Sequence, residues 1–435
     1  MPTNRPAAFD YRILPPSAFD DEVGRPTAID LFSGAGGLTL GLLNSGWDVR
    51  ACADISPACA ATHRLNFPAI PMYAGDLGPL AGDELLRLAS LEPGSLDMLA
   101  GGPPCQGFSI MGQREHEDPR NQLFHVFMRL ASELLPKVLL IENVPGLATL
   151  QGGAVLEAIS ASFDAIGYDA VCAELVAAQY GVPQLRWRMV FIGWRRGLGR
   201  SGGFPLPSHG SAGIGDLVPN RTLAAAHAAG FLSTKDAIGD LPDVSAGAAA
   251  SRYGMDSSCA YQKAMRDGCG QDVGNHYAPK MSEANLARIR ALKPGQDWRD
   301  LPWELLPAGM QRALRKDHTR RYRRMTWEGI PRSIITRFRD PKSGEYTHPE
   351  QHRTITIREA ARIQSFPDWF GFEGSKTDQY DQVGNAVPPL MARAIGTEIL
   401  RVLRSPRQAV AAERPKSRYH LALPLLAGIL DEVAA

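Results

Sequence analysis

Thr27-Ala28-Ile29-Asp30-Leu31-Phe32-Ser33-Gly34-Ala35-Gly36-Gly37 reads as a short apolar strand running into a glycine-rich turn. A helical pattern follows from Leu38 to Asn44 and is closed by Gly46. Glycines let the main chain turn tightly and approach a ligand, and the helix start beyond presents free N–H groups to it. The turn misses the G-x-G-x-x-G spacing of nucleotide-binding dehydrogenases, because position 39 is Thr. A nicotinamide oxidoreductase is therefore a remote reading.

Outward from this turn the chain alternates between two periodicities. Strand-like runs fall at Val49–Ala53, Leu96–Ala100, Val138–Ile141, Glu174–Ala177 and Met189–Ile192. Helix-like stretches at Ala58–Leu65, Asp83–Ser90, Leu123–Leu134 and Ala154–Ile166 separate most of them. The alternation predicts an α/β fold with a mostly parallel, doubly wound sheet. The pattern changes near Arg195. Residues 197–220 are rich in Gly, Pro and Ser and read as a linker, and 221–345 are weakly periodic, as expected of a smaller irregular domain. Helical pattern returns at Thr356–Gln364 and Pro389–Leu403. The expected division is an arm at 1–24, a first catalytic part at 25–195, a recognition domain at 196–345, a return to the catalytic domain at 346–404, and a tail at 405–435 whose role the sequence does not assign.

The 435 residues are 44% hydrophobic and 21% charged, the profile of a soluble globular protein, with a formal net charge of only +1. The distribution of charge says more. From Arg312 to Arg339 there are ten Lys/Arg against two acids, Asp317 and Glu328, a block that is either a solvated face or a surface for a polyanion such as nucleic acid. The six cysteines form no C-x-x-C pair and no zinc spacing, so no metal and no disulfide scaffold is expected, and a reducing cytoplasm is the default. No signal pattern opens the chain, and the apolar run Leu421–Leu430 is too short to span a bilayer, so no membrane partner is expected.

Two acids give the glycine turn a purpose. Asp54 ends the second strand, where a carboxylate can accept hydrogen bonds from ribose hydroxyls. Asp76 falls where a third strand should end and could accept from an adenine amino group. Ligands of open α/β sheets bind at the carboxyl ends of strands, so turn and acids converge on one crevice suited to an adenosine-bearing cofactor. The run Leu96–Ala100 then leads into Gly101-Gly102-Pro103-Pro104-Cys105-Gln106-Gly107-Phe108-Ser109. Two prolines fix the backbone before the sulfur, and the glycines leave room for a flat substrate. A packing cysteine needs no such loop; a nucleophile gains from being oriented. Val138–Ile141 delivers Glu142-Asn143-Val144 to the same edge, where a carboxyl can give or share a proton.

Together these residues resemble the DNA (cytosine-5)-methyltransferase family. The likeness runs in order through Asp30–Gly37, Asp54, Asp76, Gly102–Ser109, Asp118–Phe124, Glu142–Val144 and Gln184–Arg188, then Arg353–Pro367 and Gln382–Pro389. The resemblance implies a Rossmann-like S-adenosylmethionine-dependent domain, a smaller target-recognition domain, and a cleft for duplex DNA between them. It implies cofactor contacts from Phe32, Ser33, Gly34, Gly36, Gly37, Asp54, Ile55, Asp76, Leu77, Pro104, Leu123 and Asn385. Of these, Asp54 would take the ribose, Asp76 the adenine amino group, Ile55 and Leu123 the adenine faces, and Asn385 the methionine end. Ile55 is aliphatic where some relatives carry an aromatic.

By the same resemblance Cys105 adds to C6 of cytosine and makes C5 nucleophilic, Glu142 holds N3 and the amino group, and Arg188 contacts O2. The target base must leave the helix, and Gln113 or Arg114 is expected to fill the gap. Arg186, Arg320, Arg321, Arg323 and Arg324 are the remaining expected DNA contacts. Arg353, Arg362 and Gln364 read as organisers of the domain interface rather than as chemistry. The implied setting is a bacterial cytoplasm and a monomer, with a companion restriction endonuclease left open. RNA methylation on the same fold and a catalytically silent DNA binder remain as alternatives.

Overall fold

In the computed structural model the protein is described at residues 9–20, 22, 24–104, 119–148, 154–210, 229–312 and 320–405. Cys105, Gln113 and Arg114 lie outside these residues, as do 406–435.

Seven strands form one sheet in the order β3-β2-β1-β4-β5-β7-β6. They are β1 (Thr27–Leu31), β2 (Asp48–Asp54), β3 (Met72–Ala74), β4 (Met98–Gly101), β5 (Val138–Asn143), β6 (Tyr168–Val176) and β7 (Trp187–Arg195). β3, β2, β1, β4 and β5 pair in parallel, while β7 is antiparallel to both of its neighbours. The parallel strands are short apolar runs because both faces are covered. Alternation decides which side chain meets which layer. Ile29 and Leu31 point into the core formed with α3 (Gly82–Ala89), α4 (Pro119–Leu134) and α5 (Ala154–Ala165). Ala28 points the other way, into the larger core shared with α1 (Gly37–Leu43). α2 (Pro57–Asn66) connects β2 to β3 and is capped by Ser56, whose side chain accepts from Cys59 N.

The second half of the chain contributes α6 (Thr234–Ile238), α7 (Ala260–Met265), α8 (Glu283–Ala291), α9 (Ala308–Gln311), α10 (Ile357–Ile363), α11 (Lys376–Asn385) and α12 (Pro389–Arg404). α12 closes the first domain by lying against α1 at very short range. A Cβ added to Gly41 would come 2.3 Å from Ala392 Cβ and 2.6 Å from Pro389 O, so only glycine permits this approach. Trp47, fully buried, donates Nε1 to Gly396 O at 2.9 Å and locks the pair.

The expected second domain, 196–345, divides differently in space. Ile238, Tyr261, Met265 and Val273 join the large core with Ile357 and Ile363. A separate small core comprises Leu292, Trp298, Leu301, Leu306, Met310 and Tyr322. The described part of the Gly/Pro-rich stretch is packed too: His209 is fully buried and shares a 2.8 Å hydrogen bond with Tyr11 of the arm. Composition marked these segments as irregular, but their few large side chains find burial on the sheet domain.

What ties α6 and α10 together is charge. Arg362, fully buried, bonds Asp368 through Nε and Nη2 at 2.6 Å each, and Asp240 through Nη1 at 2.9 Å. Arg353 forks onto Glu359 at 2.7 Å twice, and Glu359 also closes the capping box of α10 with Thr356. Arg353 and Arg362 thus fasten α10 to the segments packed around it. Replacing Arg362 with Met leaves two buried carboxylates without their shared cation. The expected loss is about 3–5 kcal/mol of unfolding free energy, read from urea denaturation of Arg362→Met beside the wild type.

Candidate active site

The site is built at the carboxyl edge of the parallel strands. β1 ends in Phe32, a non-glycine residue at φ 56°, which turns the chain sharply into the glycine loop. Ser33 N donates to Ala53 O at 3.0 Å, and Gly36, at φ 93°, caps the start of α1. Asp54 finishes β2, and its carboxylate is held on both sides: Oδ2 accepts from Gly34 N and Oδ1 from Ser56 N, each at 2.9 Å. Each oxygen retains capacity to accept again. Gly75 N donates to Asp54 O at 3.1 Å, which brings the Asp76 turn beside it. Asp76 is exposed and Leu77 beneath it is buried. Arg129 of α4 donates to Leu77 O at 3.2 Å and sets that helix, with half-buried Leu123 on it, along the same crevice.

The far wall comes from the end of the chain. A Cβ added to Gly37 would lie 2.2 Å from Val387 O, so the segment that follows α11 touches the glycine loop. Asn385, at the end of α11, is exposed there. Ile55 shows 69% of its surface next to the anchored Asp54, and no heavy atom stands within 4 Å of a Cβ built on Gly34. Carboxylate acceptors, an exposed apolar side chain and open space over a glycine suit an adenosine group: acceptors for ribose and the adenine amine, an apolar face for the ring. This donor set fits S-adenosylmethionine.

Beneath the glycine loop is a buried acid. Asp30, fully buried, accepts from Thr39 Oγ1 at 2.6 Å, so the threonine that breaks the dehydrogenase pattern serves the strand behind it. Burial pushes Asp30 up to about 7, against the Thr39 hydrogen bond and with help from the Asp54 charge. The folded chain therefore holds this proton more tightly than the unfolded chain. Its stabilising effect is complete below the ordinary carboxylate range and is lost as pH climbs through about 7. Asp30→Asn keeps an acceptor for Thr39 and removes the titration. Relative to wild type it should gain stability between about pH 5 and about pH 8, by up to about 3 kcal/mol, measured by urea denaturation at the two pH values.

The end at which the sequence places the catalytic residues lies along β4, β5 and β7. Gly101–Pro104 leave β4, with Pro104 exposed at the mouth. Asn143 Nδ2 donates to Pro103 O at 2.9 Å and clamps the proline loop to the end of β5. Sequence reasoning named Asn143 without this role, since a side-chain-to-backbone clamp has no spacing of its own. Because β7 runs antiparallel, its beginning reaches the edge where the parallel strands end. Glu142 is registered with Val190, and Arg188 lies two residues further toward the crevice on the same face. Arg188 Nε meets Glu142 Oε1 at 2.6 Å, with side chains 13% and 12% exposed. The other oxygen, Oε2, faces Gly102, where an added Cβ would stand 3.4 Å away. One carboxylate oxygen is thus bound to a cation and the other borders the glycine of the cysteine loop.

Two of the arginines expected on DNA are elsewhere. Arg186 is 1% exposed; Nη1 donates to Ile334 O at 2.7 Å, and Nη2 to Gly384 O and Ala386 O at 3.1 and 3.0 Å. Its partners flank Asn385, so it ties the strand carrying Arg188 to the loop carrying Asn385. Arg324 is 2% exposed and donates to Leu292 O, His348 O and Ile289 O at 2.9, 2.8 and 2.7 Å. Neither guanidinium reaches a surface, and the placement of both as DNA contacts is corrected. Tyr322, buried between them in sequence, divides the basic run: Arg320 is exposed, and Arg321 and Arg323 are half-buried. Among the described residues no His/Cys/Asp/Glu group could hold a metal, and no helix is long and apolar enough to cross a membrane.

A Rossmann-like sheet with its ligand edge formed in this way, closed by a returning C-terminal segment, defines the methyltransferase class. Comparison with known proteins narrows it. Residues 27–401 match the C-5 cytosine-specific DNA methylase family, and the chain belongs to that family. It is 35% identical over 398 residues to the Type II methyltransferase M.XorII of Xanthomonas oryzae pv. oryzae, covering 87% of this chain and 86% of that protein. It is also 35% identical over 380 residues to Type II methyltransferase M1.HphI of Haemophilus parahaemolyticus, covering 86% and 87%. A prophage-encoded DNA modification methyltransferase of E. coli superposes with a TM-score of 0.65 at 27% identity, over 87% of this chain and all of that one. The protein is a DNA (cytosine-5)-methyltransferase of the restriction–modification type.

Proposed function

We propose that this enzyme transfers a methyl group from S-adenosylmethionine to C5 of a cytosine rotated out of duplex DNA, through a covalent bond between Cys105 and C6. The observation that carries this reading is the 2.6 Å pair between Arg188 and Glu142 at the edge from which the Pro103-Pro104-Cys105 loop departs. C5 of cytosine is a weak nucleophile. Addition of the Cys105 thiolate at C6 pushes electrons to C5, while Glu142 bonds N3 and the amino group and Arg188 bonds O2. The cofactor supplies the electrophilic methyl group, held by Phe32, Ser33, Gly34, Gly36, Gly37, Asp54, Ile55, Asp76, Leu77, Pro104, Leu123 and Asn385. Once C5 carries the methyl group, its proton leaves to solvent, the electron pair reforms the C5–C6 double bond and the thiolate departs. A pre-paired Glu142 carries its charge stabilisation without rearrangement, which is the property such sites need.

The base leaves the helix at a cost of about a few kcal/mol, offset by the attraction of the basic residues Arg320, Arg321 and Arg323 for the phosphates and by Gln113 or Arg114 filling the vacated space. One chain supplies both the cofactor loop and the Glu142–Arg188 pair, so a monomer suffices. The product protects its recognition site from a companion endonuclease.

Bisulfite sequencing of DNA from a host expressing the chain should show one methylated sequence motif, absent with Cys105→Ser. In vitro, Glu142→Gln should lower kcat by about 10²–10³ with cofactor affinity unchanged. Methyl transfer to transfer RNA but not to duplex DNA, or full turnover by Cys105→Ser, would sink the proposal.

A further inference from the structure

In the described part of the basic block most charges are answered; exposed Arg337 and half-buried Arg332 are not, and of the two only Arg332 is withdrawn from solvent. Arg320 Nη1 and Arg323 Nε share Glu345 Oε2 at 3.1 and 3.3 Å. Arg323 also reaches Asp297 at 3.7 Å, and that acid is held by Arg299 at 2.6 Å. Arg332 stands within electrostatic range of Arg320, Arg323 and Glu345, yet its guanidinium has no hydrogen bond or ion pair among the described residues. It is half-buried. Burial, then Arg320, lower its pKa from the usual arginine value, with Glu345 acting the other way and Arg323 adding to the fall. Arginine does not escape by giving up its proton, so a part-buried cation among like charges costs stability until an anion arrives.

The main chain of Arg332 is fixed to the segment that feeds the base pocket. Leu185 and Arg332 form a parallel bridge, with Leu185 N donating to Pro331 O at 2.8 Å. Ile334 N donates to Gln184 Oε1 at 2.8 Å, and the Gln184 amide donates to Gln364 Oε1 at 2.8 Å. Arg186 bonds Ser333 Oγ at 3.3 Å and Ile334 O at 2.7 Å. Arg332 is therefore bolted across from a residue three positions before Arg188. The nearby acid, Glu345, is already taken by Arg320 and Arg323. A phosphate diester offers two oxygens to a guanidinium fork.

We propose that Arg332 is the DNA-phosphate anchor of this enzyme: its guanidinium clamps one backbone phosphate and fixes the duplex relative to Arg188 and Glu142. This rests on the reading of duplex DNA as substrate. Arg320 and Arg323, tethered to Glu345, supply field rather than a fork, so Arg332 should dominate the salt dependence of binding.

The test titrates wild type, Arg332→Gln, Arg332→Lys and Arg337→Gln against unmethylated plasmid fragments over a salt series. Cofactor affinity is measured by calorimetry and Tm alongside. Arg337 is exposed in the same block and serves as the control. Arg332→Gln should bind DNA about tenfold more weakly and flatten the log–log salt slope by about 0.9. Arg332→Lys should restore the slope, Arg337→Gln should stay near wild type, cofactor affinity should hold throughout, and Tm should not fall in Arg332→Gln. An unchanged slope in Arg332→Gln overturns the proposal. So does a loss shared equally by cofactor affinity and Tm, which marks a structural role. Wild-type enzyme that binds RNA and ignores duplex DNA overturns the substrate reading, and the anchor with it.

Discussion

The ion pair between Glu142 and Arg188 depends on one topological choice. β7 enters the sheet antiparallel between β5 and β6. Had it run parallel, its far end would have met the carboxyl end of β5, and Arg188 would have stood at the opposite side of the domain. The reversal places the first residues of β7 over the last residues of β5, so a cation and a carboxylate from distant parts of the sequence meet at 2.6 Å. Pro103 is held to the end of β5 by Asn143. The Glu142–Arg188 pair and the anchored Pro103 are therefore brought together at the end of one strand.

Around this pair the molecule uses arginine mainly as a structural fastener. Arg186, Arg324, Arg353, Arg358 and Arg362 are each at most 2% exposed. Arg358 donates to Gly274 O, Pro367 O and Phe370 O, and Arg324 gathers carbonyls from α8 and from the segment before α10. A guanidinium has five donors in a fixed fork, so one side chain can satisfy several carbonyls that no regular element pairs. This is how the irregular second half holds its shape with few strands and short helices.

The sheet domain was largely legible in the sequence. The strand–turn–helix at Thr27–Leu43, the acid ending β2, the proline–cysteine loop and Glu142 all announce themselves by periodicity or by loop composition that packing does not require. β6 and β7 were read too short, because β6 is only partly covered and Gly193 interrupts the apolar run of β7. Arg186 and Arg324 were beyond reach. A buried arginine and a DNA-facing one are the same letter, and only the carbonyls around it distinguish them. Likewise no pattern foretold that α6 and α7 join the large core, since their burial rests on isolated residues such as Tyr261 and Met265.

Covalent capture tests the central claim most directly, that this strand-edge pair presents cytosine to a nucleophilic sulfur. Duplex DNA made with 5-fluorocytosine throughout covers every target sequence, and its C5 fluorine cannot leave as the proton does. Wild-type enzyme with S-adenosylmethionine should form a denaturation-stable protein–DNA adduct, with the DNA mapped by mass spectrometry to Cys105. Normal turnover on ordinary DNA with no adduct on the fluorinated duplex would contradict the account.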